Sequence, residues 1–322
     1  MTIHVDTRWD GAHGIARYAR EVVARLTVPW QALPFDGSPS SPSDALRPLP
    51  QDARSGLVYS PGYNAFTRTR RQVLTLHDLI HLQTDWPGRA KYLAYYNLVV
   101  RPVVRRTGVV LTVSETSRQI VRDWLRDDSV DVVNAGIGAS ADFTPDVAPA
   151  ASDTPYLMYV GNLRRHKNVT VVLDALTRVP DARLRILIPA AEQDELRALV
   201  AERSLEQRVT ALGRIDDAAL AAEYRGAAAT VMPSTLEGFG LPALESVMTG
   251  TPVLYWQGCA AVAETAAGRG RAVGEAHDAQ EWAAAIEDAL AHPRRVDAPV
   301  GRYSWDETAR MVDEVLRDAA GR

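Results

Sequence analysis

The sequence predicts an α/β protein of two doubly wound domains. Three observations carry this. Short β-branched runs alternate with helical stretches, and several of the runs are apolar throughout. A chain of 322 residues that is 46% hydrophobic is long enough for two cores of roughly 150 residues each. The strands fall at Thr2–Asp6, Leu57–Tyr59, Gln72–Leu76, Val109–Val113, Tyr156–Val160, Leu184–Ile188, Val209–Leu212, Thr230–Met232 and Pro252–Tyr255. Strands without polar alternation suit a parallel sheet covered on both faces. Helical patterns lie between them, at Ile15–Leu26, Ala90–Arg106, Val169–Thr177 and Ala218–Ala228, as doubly wound folding requires. Asp36–Asp52, rich in Pro and Ser, reads as a mobile surface loop. The stretch D-V-A-P-A-A-S-D-T-P at Asp146–Pro155 reads as the link between a first domain, residues 1–150, and a second, residues 151–302.

Composition narrows the function. A net charge of −4 gives no general attraction to nucleic acid or to an anionic membrane, so a bound anion must be held by local groups. The single cysteine, Cys259, allows no intrachain disulfide and no thiolate-rich metal site. A reducing, cytoplasmic setting is expected. The opening M-T-I-H-V-D-T reads as a strand rather than a leader, and no apolar run reaches the roughly 18 residues of a membrane span. Lysine occurs only at positions 91 and 167, which singles out Lys167 in an otherwise arginine-rich chain.

The densest chemistry lies in Pro233–Pro252, P-S-T-L-E-G-F-G-L-P-A-L-E-S-V-M-T-G-T-P. A strand ends near Met232 and a glycine-rich turn follows. Pro242 suits the first turn of a helix, and Gly250 suits the left-handed cap that ends it. The amides of Phe239, Gly240 and Leu241 then lie at a helix N-terminus, a ready anion site. Glu237 sits in the turn and Glu245 one turn inside the helix. Both can face the crevice beyond a strand's carboxyl end, where open α/β sheets bind ligands. Taken alone, Glu245 would equally complement the helix dipole, worth about 0.3–1 kcal/mol.

The string P-S-x-x-E-G-F-G-L-P-x-L-E resembles the signature of glycosyltransferase family four, with its two Glu separated by seven residues. Y-V-G-N-L-R-R-H-K-N-V at Tyr159–Val169 is similar to that family's strand-end loop. Further matches follow in the family's order: L-T-L-H-D-L (Leu74–Leu79), V-L-T-V-S-E-T-S-R (Val110–Arg118), L-G-R-I-D-D (Leu212–Asp217) and Y-S-W-D-E-T-A (Tyr303–Ala309). The resemblance, to bacterial mannosyl- and rhamnosyl-type enzymes, implies the GT-B fold: two Rossmann-like domains facing a central cleft. It implies a retaining hexosyltransferase that uses a GDP-, UDP- or dTDP-sugar as donor and a hydroxyl acceptor (envelope glycan, glycolipid or natural product), with no cofactor; no Asp-x-Asp motif lies near the predicted diphosphate site, so no metal is expected. On that basis Glu245 bonds the donor's ribose and Glu237 holds hydroxyls of the transferred sugar beside the amides of Phe239, Gly240 and Leu241. Lys167 neutralises the departing diphosphate, and the backbone at Arg214 and Ile215 faces the base. Relatives carry a second cation after the loop's glycine. Here Asn162 stands there, and Arg164 or Arg165 is left to supply the charge.

In the first half, Gly11 and Gly14 precede a helix that follows the first strand, a plausible phosphate-facing turn. By the resemblance this loop reaches the diphosphate and His77, at a strand end, contacts the donor sugar. Asp78 and His81 follow within a turn, but three ligands so close need a fourth from elsewhere, and no metal is expected. The aromatic, basic stretch Lys91–Arg106 reads as a core helix kinked at Pro102, with contact to an acceptor, or weak peripheral contact to a membrane surface, as the other readings. Residues 303–322 are expected to form a last helix, about Asp306–Asp318, that crosses back to the first domain. Other GT-B enzymes, and an inactive partner that binds a sugar nucleotide, remain as alternative functions.

Overall fold

The computed structural model describes residues 2–11, 13–299 and 301–321. The chain forms two compact units. One takes in the residues up to Gly138 together with those from Tyr303 onward; the other is Ala139–Arg302.

In the first unit β1 (Ile3–Val5), β2 (Trp30–Ala32), β3 (Leu57–Ser60) and β4 (Arg71–Leu74) form a parallel sheet in the order β2-β1-β3-β4. β5 (Val109–Thr112) pairs in parallel with β6 (Asp131–Asn134), and a bridge from Thr75 to Leu111 carries the sheet on from β4. Every residue of β3 and β5 is buried, as their apolar runs require. The strand order reverses between β1 and β3. The last helix, Trp305–Gly321, packs on the helix Gly14–Val23. Its buried Asp313 accepts the Thr27 N–H at 2.9 Å and the Val28 N–H at 3.3 Å, which caps the chain end that leaves the first helix.

The second unit holds six parallel strands, β7 (Leu157–Val160), β8 (Leu184–Leu187), β9 (Val209–Leu212), β10 (Ala229–Met232), β11 (Val253–Trp256) and β12 (Gly270–Val273), in the order β12-β11-β10-β7-β8-β9. Its core joins Leu157, Ile186, Val231 and Leu254 of the sheet to Val172, Leu176, Trp282 and Ile286 of the covering helices. Here the order reverses between β7 and β10. In open α/β sheets such reversal points open the crevice in which ligands bind.

Three strands, β2, β6 and β12, have no counterpart in the sequence reading. Each lies at the outer end of its row of strands and is largely exposed or half-buried, so it needs no apolar run and carries no apolar signal. The link expected at Asp146–Pro155 packs on the second unit, and the units change over earlier, between Gly138 and Ala139. The cause is Phe143, fully buried among Tyr156, Leu220 and Tyr224. Burying such a side chain is worth about 1.5–3 kcal/mol.

The segment 36–52 is anchored rather than loose. Asp44 is buried and takes two hydrogen bonds from Arg8, at 2.9 and 2.6 Å, while Arg8 also bonds Asp6. These bonds hold the Arg8 guanidinium above its ordinary pKa despite desolvation. In Arg89–Thr107 the helix continues through a π turn at Tyr96–Val100, directly before Pro102. The wider turn makes room for a residue that brings a ring and no N–H.

Candidate functional site

Two loops flank the reversal point of the second unit, one after β7 and one after β10. The loop after β7 is shaped by its own polar groups. Asn162 Oδ1 accepts the Arg164 N–H at 3.1 Å, the Tyr159 hydroxyl donates to the Asn162 carbonyl at 2.8 Å, and Glu192 Oε2 takes the Leu163 N–H at 2.7 Å. A single turn of 3₁₀ helix, Arg165–Lys167, then leads to Asn168 in the left-handed region (φ 52°), which opens the helix Val169–Leu176. The Asn168 amide donates to the carbonyls of Pro233 (3.3 Å) and Ala276 (2.7 Å), and the Thr235 N–H donates to the His166 carbonyl at 2.7 Å. These bonds fasten the two loops to each other.

At the junction Lys167 Nζ meets Glu237 Oε1 at 2.7 Å, with side chains 16% and 9% exposed. Removing one partner of a pair this sheltered leaves an uncompensated charge, at a cost of about 3–5 kcal/mol where burial is complete. Gly240 (φ 91°) turns the chain into the helix Leu241–Met248, and a Cβ there would press on Met232 and Val262 at 3.3 Å. Only glycine combines that φ with so little room. The Thr265 hydroxyl donates to the Phe239 carbonyl at 2.6 Å, which fixes the turn on its far side.

Glu245 is 4% exposed and accepts the Tyr224 hydroxyl at 3.0 Å. That partner comes from the helix Asp217–Gly226 and lies outside every motif read from the sequence. Cys259, also buried, has its thiol pushed up to about 12, first by burial and then by the charge of Glu237, so it stays a protonated, inert packing group.

Other residues singled out in the second unit stand further apart. Arg164 and Arg165 are exposed on the loop after β7. Asn162 turns the chain instead of facing outward as a hydrogen-bonding group. Arg214 is exposed and Ile215 half-buried on the loop after β9, at the sheet's edge.

In the first unit Gly11 adopts φ 102°, and Gly14 opens the helix Gly14–Val23 with nothing within 4 Å of a Cβ built on it. Ala12, between them, lies outside the described residues. His13 caps this helix, its Nδ1 accepting the Ala16 N–H at 3.2 Å. His77 follows β4. Its Nε2 lies 2.9 Å from the Pro61 carbonyl, and its ring stands edge-on to Tyr18 with centroids 4.8 Å apart. A carbonyl can only accept, so Nε2 carries the proton and Nδ1 is left as an acceptor. Burial, with a further push from His13, lowers the His77 pKa against the opposing pull of the Pro61 carbonyl and Asp78. The imidazole is neutral at pH 7.

Beside it runs a row of rings that the sequence reading did not join, although it named His81 and the aromatic stretch that holds Tyr92. Trp9 meets Tyr63 at 5.1 Å, Tyr63 meets His81 at 5.7 Å, and His81 stacks on Tyr92 at 4.8 Å and 15°; Trp86 closes the row at 5.3 Å from Tyr92. The rings stem from the loops after β1, β3 and β4 and from the segment that follows. Trp86 is 39% exposed. His81 stacks within this row, with its Nδ1 3.9 Å from Asp78; among the described residues no three acidic, His or Cys side chains are grouped to hold a metal ion. No described helix is long and apolar enough to cross a membrane.

Comparison with known proteins bears on both units. A D-inositol 3-phosphate glycosyltransferase from Pseudarthrobacter chlorophenolicus is 30% identical over 239 residues, covering 66% of this chain and 56% of its own length. The chain thus spans little more than half of that relative. The O-antigen chain mannosyltransferase RfbU of Salmonella typhimurium is 25% identical over 283 residues, 85% of this chain and 77% of that one. Among solved structures, sucrose-phosphate synthase from Thermosynechococcus elongatus superposes with a TM-score of 0.69 at 19% identity, covering 99% of this chain and 95% of the other. At that identity the likeness establishes the fold, which is GT-B with two Rossmann-like domains. The family model of glycosyl transferases group 1 matches residues 141–316, more than half of the chain and the whole of the Lys167–Glu237 junction, and this chain belongs to that family.

Proposed function

We propose that the chain is a retaining glycosyltransferase that moves a hexosyl group from a GDP-, UDP- or dTDP-sugar to a hydroxyl of an acceptor. The observation that carries this reading is the ion pair of Lys167 and Glu237 across the reversal point of the second sheet, beside the N-terminus of the helix Leu241–Met248. Departure of a nucleoside diphosphate builds negative charge on a phosphate oxygen. A sheltered ammonium and a helix N-terminus are preorganised to meet it. In this reading Lys167 takes the diphosphate. Glu237, next to it, binds hydroxyls of the transferred sugar, and Glu245, steadied by Tyr224, binds the ribose.

Glu237 is engaged by Lys167, and Glu245 is buried against Tyr224, so neither stands ready as a carboxylate nucleophile. Attack then takes place on the face from which the diphosphate leaves. The bond from C1 to the diphosphate oxygen breaks, the acceptor oxygen bonds to C1, and the acceptor's proton passes to the departing diphosphate. The anomeric configuration is kept, and no divalent cation is required. His77, neutral and with Nδ1 as acceptor, takes a hydroxyl hydrogen of the sugar and does not act as a nucleophile.

For the acceptor, the accessible end of the row, exposed Trp86 with half-buried Tyr63 and Tyr92, offers flat apolar faces edged by polar atoms, which suits a ring bearing hydroxyls; Trp9 is itself buried. The named relatives act on an inositol phosphate and on an O-antigen chain. NMR of the anomeric proton in fresh product, with GDP-, UDP- and dTDP-sugars each offered with and without EDTA, tests the reading. A retained configuration with EDTA present is expected; an inverted product, or turnover only with added metal, overturns it.

A further inference from the structure

At the amino-terminal end of the second sheet lies a cavity of about 420 Å³ that takes no part in the site above. Arg183 directly precedes β8, and Arg185 is the second residue of that strand, so the two share a face. Register pairs Leu184 with Val209 and Arg185 with Thr210, which sets Arg208, just before β9, level with Arg183. Arg183, Arg185 and Arg208 therefore line one cavity from two adjacent strands, a concentration of like charge that such pairing disfavours.

Only one of the three is neutralised. Arg185 pairs with Glu223 at 2.8 Å and lies over the Tyr156 ring at 4.0 Å. Arg183 donates to the Gln207 carbonyl at 3.1 Å. Arg208 donates, through one terminal nitrogen, to the carbonyls of Leu176 (2.7 Å), Val179 (2.9 Å) and Pro180 (3.2 Å). Among the described residues neither Arg183 nor Arg208 has a carboxylate within ion-pair distance. Both keep Nε and the second terminal nitrogen, the edge that grips two oxygens of one phosphoryl group. Ser152 and Thr210 add hydroxyls to the lining, and Asp153 is the one lining carboxylate.

We propose that this cavity is a second anion site, built for the phosphoryl group of a phosphate ester. It lies at the amino ends of β8 and β9, whereas Lys167 follows the carboxyl end of β7. Four residues of strand, roughly 13 Å, separate the two ends of the sheet. The site stands whether or not the glycosyltransferase reading holds.

Calorimetric titration of inorganic phosphate into the Lys167→Ala protein, with Glu237→Gln added if circular dichroism shows that the unpaired carboxylate unfolds it, isolates the cavity from the junction with Glu237. Saturable binding is expected there, weakened about tenfold or more in Lys167→Ala/Arg183→Glu by loss of a charge-assisted contact. Arg183 is exposed, so its replacement leaves the fold intact; an unchanged circular dichroism melt verifies this, and Arg183→Gln should weaken binding less than Arg183→Glu. Sedimentation with phosphatidylcholine vesicles containing phosphatidic acid identifies the source of the phosphoryl group. Co-sedimentation lost in Arg183→Glu assigns it to a lipid headgroup, and phosphate binding without co-sedimentation assigns it to a soluble ester. Absence of saturable binding in the Lys167→Ala protein, or equal binding after Arg183→Glu, overturns the proposal.

Discussion

The two sheets end in different chemistry. At the carboxyl end of the second, the groups that matter are ionic and already partnered: Lys167 with Glu237, and Glu245 with Tyr224. At the carboxyl end of the first they are neutral rings, His77 against Tyr18 and the row from Trp9 to Trp86. Both ends are organised around a reversal of strand order, so the topology is the same and only the side chains differ. On the proposed function this difference is a division of labour. A charged leaving group calls for a fixed countercharge, whereas a neutral hydroxylated ring calls for flat faces and one well-aimed acceptor.

The sharpest way to break the comparison is Lys167→Ala. If the ionic end handles the growing charge, turnover at saturating donor should fall roughly a hundred- to thousandfold, about 2.7–4 kcal/mol. Single-turnover kinetics would show it, and an unaltered rate would remove Lys167 from the chemistry. Glu245→Ala comes next. A carboxylate that accepts ribose hydroxyls acts equally in ground and transition states. The loss, about 1.5–3 kcal/mol, should therefore appear in the donor's dissociation constant, measured by calorimetry, with turnover little changed. Tyr224→Phe is gentler, because it keeps the ring in the core and removes one hydroxyl. Donor affinity should drop by less than about tenfold, and a drop as large as that of Glu245→Ala would mean that the tyrosine itself meets the donor.

The smallest effect belongs to the aromatic end. Burial holds the folded-state pKa of His77 below its unfolded value, and that of His13 likewise. Folding thus favours the neutral imidazole. The stability this supplies is present above the ordinary histidine value of about 6.5 and is lost as pH falls through the folded-state value. Melting temperature should fall on acidification, as the unfolding free energy drops by at most about 1.4 kcal/mol per pH unit per histidine. His77→Asn should flatten part of that slope. A parallel pH profile in the variant would place the sensitivity elsewhere.

The ionic end was far more legible in the sequence than the aromatic one. Glu237, Glu245, Gly240 and Lys167 lie within two short strings whose glycines and prolines announce a turn and a helix start. The rings are scattered from position 9 to position 92 and meet only because β1, β3 and β4 end side by side. A single aromatic residue looks the same in a core as on a ligand face, so no local pattern marks them. Tyr224 was hidden for a related reason, since nothing in the helix Asp217–Gly226 shows that it reaches a carboxylate 21 residues away. The interior strands were readable as apolar runs, whereas β2, β6 and β12 were not. Asn162 shows the limit of reading by resemblance. Where relatives carry a cation, its side chain builds the turn that carries the neighbouring arginines.

The last helix bears on how the molecule is made. Trp305–Gly321 belongs to the first unit, yet it follows the whole of the second in the chain. During synthesis the seat for this helix, beside the helix Gly14–Val23, stays unfilled until the residues of Ala139–Arg302 have been made. Closure of the first unit therefore depends on residues that are made after every residue of the second, unlike a domain completed in one stretch from the N-terminus. A chain cut at residue 302 would hold every residue of the second unit and lack the helix that closes the first.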